Sequence, residues 1–283
     1  MNTLKNEKKN IILIDTSYTL FHRYFATLRW LSLAHTDIYK QYINDKDYNW
    51  LENSIFIEKY EKLYLDGIIK LVGKKIYKDS IVIFCMDTPR EQLWRTIINT
   101  DYKGERYDMT KKTNFVPTFK YTYDLIITDL LKNDNIYKIK VAPLEADDVI
   151  AIICKNLENS LNINIYIVSG DKDFYQLGRP NIFFIDFKNK ELKNLSNEES
   201  RILLHKKILL GDKSDNIKTI FPSKFSLKLK KKLLNSIEEF STFIVLNKDI
   251  EVRYNENSHL INFDFIPLEY IKPVIDELYK LFI

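Results

Sequence analysis

Carboxylates are the residues of this chain best suited to chemistry, and they fall in tight groups. Three lie in Glu145-Ala146-Asp147-Asp148, two in Ser169-Gly170-Asp171-Lys172-Asp173, and two in Gly211-Asp212-Lys213-Ser214-Asp215-Asn216. Two more, Asp15 and Asp87, directly follow short apolar runs, and Asp171 follows a third after Ser169-Gly170. With 39 Asp and Glu among 283 residues, three prescribed positions would all be acidic by chance about 0.3% of the time, so the coincidence points to a shared site. An aspartate after a strand can simply cap the next helix, and a helix start favours acidic residues by about 0.3–1 kcal/mol each. Three of them packed into 145–148 exceed that need. EF-hand chemistry is excluded: Tyr175 stands at the fifth place counted from Asp171, no glycine follows at the sixth, and the 212–216 group lacks a terminal Glu in register. Gathered in one cleft, like charges about 4 Å apart repel by about 4 kcal/mol at an effective dielectric near 20. The carboxylates therefore cannot all stay ionised unaided. An all-oxygen donor set without His or Cys suits Mg²⁺, with Mn²⁺ as the alternative. Two such ions held by carboxylates form the usual clamp for in-line attack on a phosphodiester.

Those side chains need a frame that brings distant segments together. Residues 11–14, 80–86, 162–168 and 181–185 are predicted strands; being continuously apolar rather than alternating, they fit a parallel sheet buried on both faces. Helical stretches over 19–33, 55–72, 118–131 and 144–157 alternate with them, which predicts an α/β fold. Ligands of such folds bind beyond the carboxyl ends of the strands, where Asp15, Asp87 and Asp171 stand. The composition, 45% hydrophobic and 29% charged, is that of a globular chain, and the net charge of +4 is too small to argue for nucleic acid by itself. Cys85 and Cys154 lie in apolar runs and suit free thiols of a reducing compartment, and with only four His a structural zinc site is not expected. The stretch from Gly67 to Gly73-Lys74-Lys75 has the wrong glycine spacing for a phosphate loop and no Ser or Thr after the lysines. No run approaches the roughly 18–20 apolar residues of a membrane span, and the lysine-bearing start is no signal peptide, so an intracellular, soluble protein is expected.

Six pieces then stand in the order seen in 5′ nucleases: Ile12-Leu13-Ile14-Asp15; Phe84-Cys85-Met86-Asp87 followed by Trp94-Arg95; Tyr102-Lys103-Gly104-Glu105-Arg106; Glu145 to Asp148; Ser169 to Asp173; and Gly211 to Ile217. On these the chain resembles bacteriophage flap endonucleases and the 5′ nuclease domain of bacterial DNA polymerase I, over about residues 10–240. The resemblance implies a PIN-like, mainly parallel sheet flanked by helices (1–200), then a helix-3-turn-helix-like hairpin for DNA and a small C-terminal subdomain (201–283). It implies one Mg²⁺ held by Asp15, Asp87, Glu145 and Asp147, and a second held by Asp148, Asp171, Asp173, Asp212 and Asp215, partly through water. Lys103 and Arg106 match the basic pair that lines the scissile phosphate, where cations can stabilise charge developing on phosphoryl oxygens.

Some positions depart from the pattern. Thr16 stands where a glycine commonly follows the first aspartate, and the usual arginine seven residues beyond it falls on His22, with Arg23 beside it as a DNA contact. Residues 217–226 contain no glycine where the hairpin turn normally has Gly-x-Gly. Lys224, Lys228, Lys230, Lys231 and Lys232 crowd the helix that follows and read as a phosphate-gripping face. An arch for a single strand is expected between Lys103 and Tyr123, where Lys111 and Lys112 accompany aromatic rings. The implied activity is a Mg²⁺-dependent phosphodiesterase, a structure-specific 5′ nuclease cutting branched or flapped DNA, or an RNA primer on DNA, near the single-strand to duplex junction. A monomer with no membrane partner is expected. Two other readings stay open on residues alone: a catalytically silent DNA-binding relative, and a PIN-type ribonuclease.

Overall fold

The computed structural model describes residues 10–104, 113–160, 162–186 and 191–281. β1 (Asn10–Asp15) is β-branched and aliphatic. Its alternate side chains are buried in opposite directions, Ile11 and Leu13 on one face and Ile12 and Ile14 on the other. α1 (Thr16–Ala34) starts at once, because the Asp15 carboxylate accepts the Tyr18 backbone N–H at 3.0 Å. α2 (Thr36–Tyr42), α3 (Ser54–Val72) and α4 (Lys74–Lys78) lead to β2 (Ser80–Cys85), every residue of which is buried. The short α5 (Arg95–Ile98) precedes α6 (Val116–Tyr121), which continues through a π turn into α7 (Thr128–Leu130) and then β3 (Ile136–Ile139). α8 (Ala146–Leu157), β4 (Asn164–Val168), β5 (Ile182–Asp186) and β6 (Glu191–Asn194) complete the sheet.

The strand order is β3-β2-β1-β4-β5-β6, parallel throughout except for β6, which runs antiparallel to β5. The four predicted strands are those at the centre. β3 and β6 were not predicted: β3 is a short edge strand, and every residue of β6 is exposed, so neither carries the buried apolar run that marks an inner strand. One face of the sheet packs Ile11, Leu13, Ile83 and Ile165 against α8; the other packs Ile12, Ile14, Val82 and Phe84 against Tyr24 of α1 and Tyr60 and Tyr64 of α3. The order reverses between β1 and β4, and the crevice beyond their carboxyl ends is where Asp15 and Asp171 emerge.

The remaining helices are α9 (Asn197–Leu210), α10 (Leu227–Asn235), α11 (Ile237–Val245), α12 (Lys248–Ile261) and α13 (Leu268–Lys280). The boundary expected at residue 200 falls inside α9. α9 and α10, joined by the loop 211–226, form the expected hairpin, and Leu209, Phe221, Leu233, Phe240 and Ile250 give it a small core of its own with α11 and α12. Val274 and Leu278 of α13, in the C-terminal part, are buried in the same core as α8.

Candidate active site

Five segments deliver carboxylates to the site. Asp15 closes β1 and accepts the Ser169 hydroxyl at 2.9 Å as well as the Tyr18 N–H. Burial, with the neighbouring Asp87 charge, pushes its carboxyl up to about 7. Asp87 accepts the Ala146 backbone N–H at the start of α8 at 2.8 Å and the Ser17 hydroxyl, so it ties β2 to the helix that carries the next group. Asp171, after β4, caps a short 3-10 turn by accepting the Asp173 N–H at 2.9 Å. Gly170 lets this loop approach α1: a Cβ there would lie 2.2 Å from the Tyr18 hydroxyl oxygen.

The α8 group is Glu145, Asp147 and Asp148, whose oxygens include a set within 4.8 Å of one another. Glu145 and Asp148 form a capping box, so part of this cluster does the capping work that helix starts require. Asp148, expected among the ligands of a second metal, lies in this same set. It is fully buried, and its oxygens accept Arg95 Nη2 at 2.7 Å, Arg95 Nη1 at 2.8 Å, the Trp94 indole N–H at 2.9 Å and the Glu145 N–H at 3.1 Å. Four donors leave little acceptor capacity for a cation. Burial raises the Glu145 carboxyl, but Lys103 and Arg95 outweigh it and hold the group below its usual value. Burial, Glu145 and Asp148 together hold Asp147 well above the carboxylate range.

The hairpin loop supplies Asp212 and Asp215, which meet Asp173 so that one oxygen of each lies within 4.8 Å of the others. Gly211 sits at φ 71°, and a Cβ there would lie 2.4 Å from the Ile217 carbonyl oxygen. Asp212 and Ile217 exchange backbone hydrogen bonds at 2.9 and 2.7 Å, and Asn216 takes a left-handed φ of 60°. Gly211 and Asn216 thus shape a turn for which residues 217–226 hold no glycine. Burial works against the Asp212 charge, yet Lys207 and Ser214 hold its carboxyl down to about 2.

A turn at 99–104 docks on this loop, with Lys103 N–H donating to the Asp215 carbonyl at 3.1 Å and Asn216 Nδ2 to the Asp101 carbonyl at 3.2 Å. That contact places Tyr102 and Lys103 between the two acidic groups. The buried Tyr102 hydroxyl lies 2.9 Å from Glu145 Oε2 and 3.3 Å from Asp215 Oδ2; the Lys103 ammonium pairs with Glu145 and stands 4.0 Å from Asp215. Tyr102, Arg95 and Lys207 were not among the expected site residues. The stretch around Tyr102 has the polar, glycine-bearing composition of a surface turn, and a lysine in the last turn of a helix ordinarily complements the helix dipole.

The expected DNA contacts divide. Lys224, Lys228, Lys231 and Lys232 are exposed on or beside α10, Lys232 in an ion pair with Glu239 at 2.7 Å, while Lys230 lies over the Phe221 ring at 5.1 Å. His22 is half-buried and stacks on Tyr18, with burial and Arg23 holding its pKa below the usual value. Arg23 does not face the cleft: it is 8% exposed and its guanidinium packs against Gly67 of α3, where a Cβ would lie 1.9 Å away. Being one residue beyond His22, it turns by about 100° around the helix, into the interface with α3. Arg106, Lys111 and Lys112 lie outside the described residues.

The donor set is carboxylate oxygen, and burial together with neighbouring carboxylate charge holds Asp15 and Asp147 above their usual range. Such a set fits hard divalent cations.

Residues 10–202 match the model of the family described as 5′-3′ exonuclease, N-terminal resolvase-like domain. The Ribonuclease H of Enterobacteria phage T4 is 26% identical over 200 residues, 66% of this chain, and the match spans 65% of that relative's length. Among solved structures, the T5 5′-exonuclease with bound zinc superimposes with a TM-score of 0.62 at 16% identity, over 96% of this chain and 99% of that one. The bacteriophage T5 flap endonuclease, in a pseudo-enzyme–product complex with DNA and metal ions, gives 0.59 at 16% identity, over 96% and 98%. At such identities these two structures bear on the fold.

Proposed function

The chain belongs to the 5′-3′ exonuclease family, and from that premise we propose that it is a structure-specific 5′ nuclease. It hydrolyses phosphodiester bonds of branched or flapped DNA near the single-strand to duplex junction, with two Mg²⁺ ions as cofactor. The observation that carries this reading is the convergence of carboxylates from β1, β2, the start of α8, the loop after β4 and the hairpin loop, with Tyr102 reaching one carboxylate of each main group. Asp15, Asp87, Glu145 and Asp147 would hold one ion, and Asp171, Asp173, Asp212 and Asp215 the other. When bound, the pair supplies Lewis acidity and a nucleophile for in-line displacement at phosphorus. Asp148 positions Arg95, Trp94 and the N-terminus of α8 beneath them. Lys103, at the seam of the two groups, is assigned with Arg106 to the scissile phosphate, where each stabilises charge developing on its oxygens. Lys224, Lys228 and Lys231 grip duplex phosphates, so recognition follows the shape of the junction more than its sequence. The T4 relative is named Ribonuclease H, which favours the RNA end of a primer on DNA as a second substrate.

The test is a flap DNA with a blocked 5′ end, labelled and incubated with Mg²⁺ or with EDTA. Junction cleavage that depends on the cation is expected. An intact substrate under Mg²⁺ and Mn²⁺ alike would overturn the reading.

A further inference from the structure

Lys207, in the last turn of α9, extends its ammonium between two of the hairpin-loop group's carboxylates. It pairs with Oδ1 of Asp173 and, at 2.8 Å, with Oδ2 of Asp212. Only about a fifth of each of these three side chains is exposed, at 23% for Lys207, 18% for Asp173 and 20% for Asp212. The same two carboxylates, with Asp215, form the set whose oxygens converge within 4.8 Å. A divalent cation held by that set and the ammonium would compete for the same oxygens. Two positive centres crowded there repel strongly at the effective dielectric of a half-buried cleft. Lysine suits a group that must yield: its charge rides on a flexible four-carbon stem, whereas a guanidinium grips carboxylates through a rigid fork.

We propose that Lys207 is the resident counter-ion of the Asp173, Asp212 and Asp215 group, and that a divalent cation enters this group only by displacing it, so Lys207 sets the weaker of the two cation affinities. The proposal rests on the two-cation reading above. It explains how this part of the cleft can stay charged and folded before the cation arrives.

The first measurement uses the unaltered full chain. An amine-acylating reagent is applied with and without saturating Mn²⁺, and labelling at Lys207 is read by peptide mass spectrometry. Labelling several-fold faster with Mn²⁺ is expected, because the ammonium leaves its partners. Unchanged or slower labelling overturns the proposal whatever the variants do. The second is calorimetric titration of Mn²⁺ into the full chain and its K207M and K207R variants. The weaker Kd should fall about tenfold or more in K207M and rise in K207R, with the tighter Kd within about twofold of its original value; by Coulomb's law, losing a unit charge this close to a divalent ion is worth at least that much. An unchanged weaker Kd in K207M also overturns it. If K207M does not fold, the labelling result decides alone. An unaltered chain that binds no Mn²⁺ sinks the two-cation reading together with this proposal, whereas two bound ions with an unresponsive Lys207 sink this proposal only.

Discussion

Replacing Arg95 with Met tests whether the floor beneath the acidic cleft is an ion-paired frame. The Arg95 guanidinium is 1% exposed and donates to both oxygens of Asp148, at 2.7 and 2.8 Å, to Glu145 at 3.1 Å and to the Leu260 carbonyl at 2.8 Å. Methionine fills much of the volume but leaves a buried Asp148 without its cation. Removing one partner from a buried pair costs about 3–5 kcal/mol, chiefly because the survivor keeps an uncompensated charge. We expect a loss of about 4 kcal/mol, which for a chain of this size lowers Tm by about 8–16 °C. Arg95→Lys keeps the charge but not the fork and should lose about half as much. Combining Arg95→Met with Asp148→Leu should recover part of the loss, since the orphaned charge goes too; recovery stays partial because Asp148 also accepts the Trp94 and Glu145 N–H groups. Urea unfolding followed by circular dichroism in EDTA reads all three. A loss below about 1 kcal/mol in Arg95→Met, at unchanged denaturant slope, would refute the argument.

Asp171→Asn combined with Asp173→Asn should abolish flap cleavage while leaving flap binding within a few-fold, as measured by gel cleavage and by fluorescence anisotropy in Ca²⁺; persistent cation-dependent turnover would contradict the assigned ligands. Gly211→Ala forces a Cβ to 2.4 Å from the Ile217 carbonyl oxygen at a left-handed φ of 71°, so a loss of about 2 kcal/mol in urea unfolding is expected. Lys231→Ala removes an exposed cation from α10; duplex affinity should fall uniformly across sequences and the slope of log K against log salt should shrink by about one. His205 is buried against Phe240 with a ring nitrogen 2.8 Å from the Leu233 carbonyl, and burial, aided by Lys206, holds its pKa below 6.5. A depressed folded pKa means its stabilisation is present above pH 6.5 and is lost as pH falls toward the folded value. The urea midpoint difference between the unaltered chain and His205→Asn should therefore narrow between pH 7.5 and 5.5.

Much of the site is legible because its residues come in local groups. The acidic groups at 145–148, 171–173 and 212–215 are each set within one turn of chain, and strand-end aspartates follow buried runs that are visible as apolar blocks. Residues whose role depends on what lies opposite are another matter. Arg23 and His22 are neighbours in sequence, yet one turns into α3 and the other toward Tyr18. Asp148 cannot be told from Asp147 by type, and only the presence of Arg95 and Trp94 beneath it shows that its oxygens are occupied.

The positions of the buried strands, the α/β class and the acidic ligand type are legible in the chain alone, because apolar periodicity and local charge density are properties of short segments. Folding decided the rest. The pairing of β1 with β4 opens the crevice, the 99–104 turn carries Tyr102 and Lys103 to the hairpin loop, and Lys207 comes to rest between Asp173 and Asp212. Each of these involves a contact between segments tens of residues apart. Their meeting depends on how whole layers pack, and no local pattern of residue types records it.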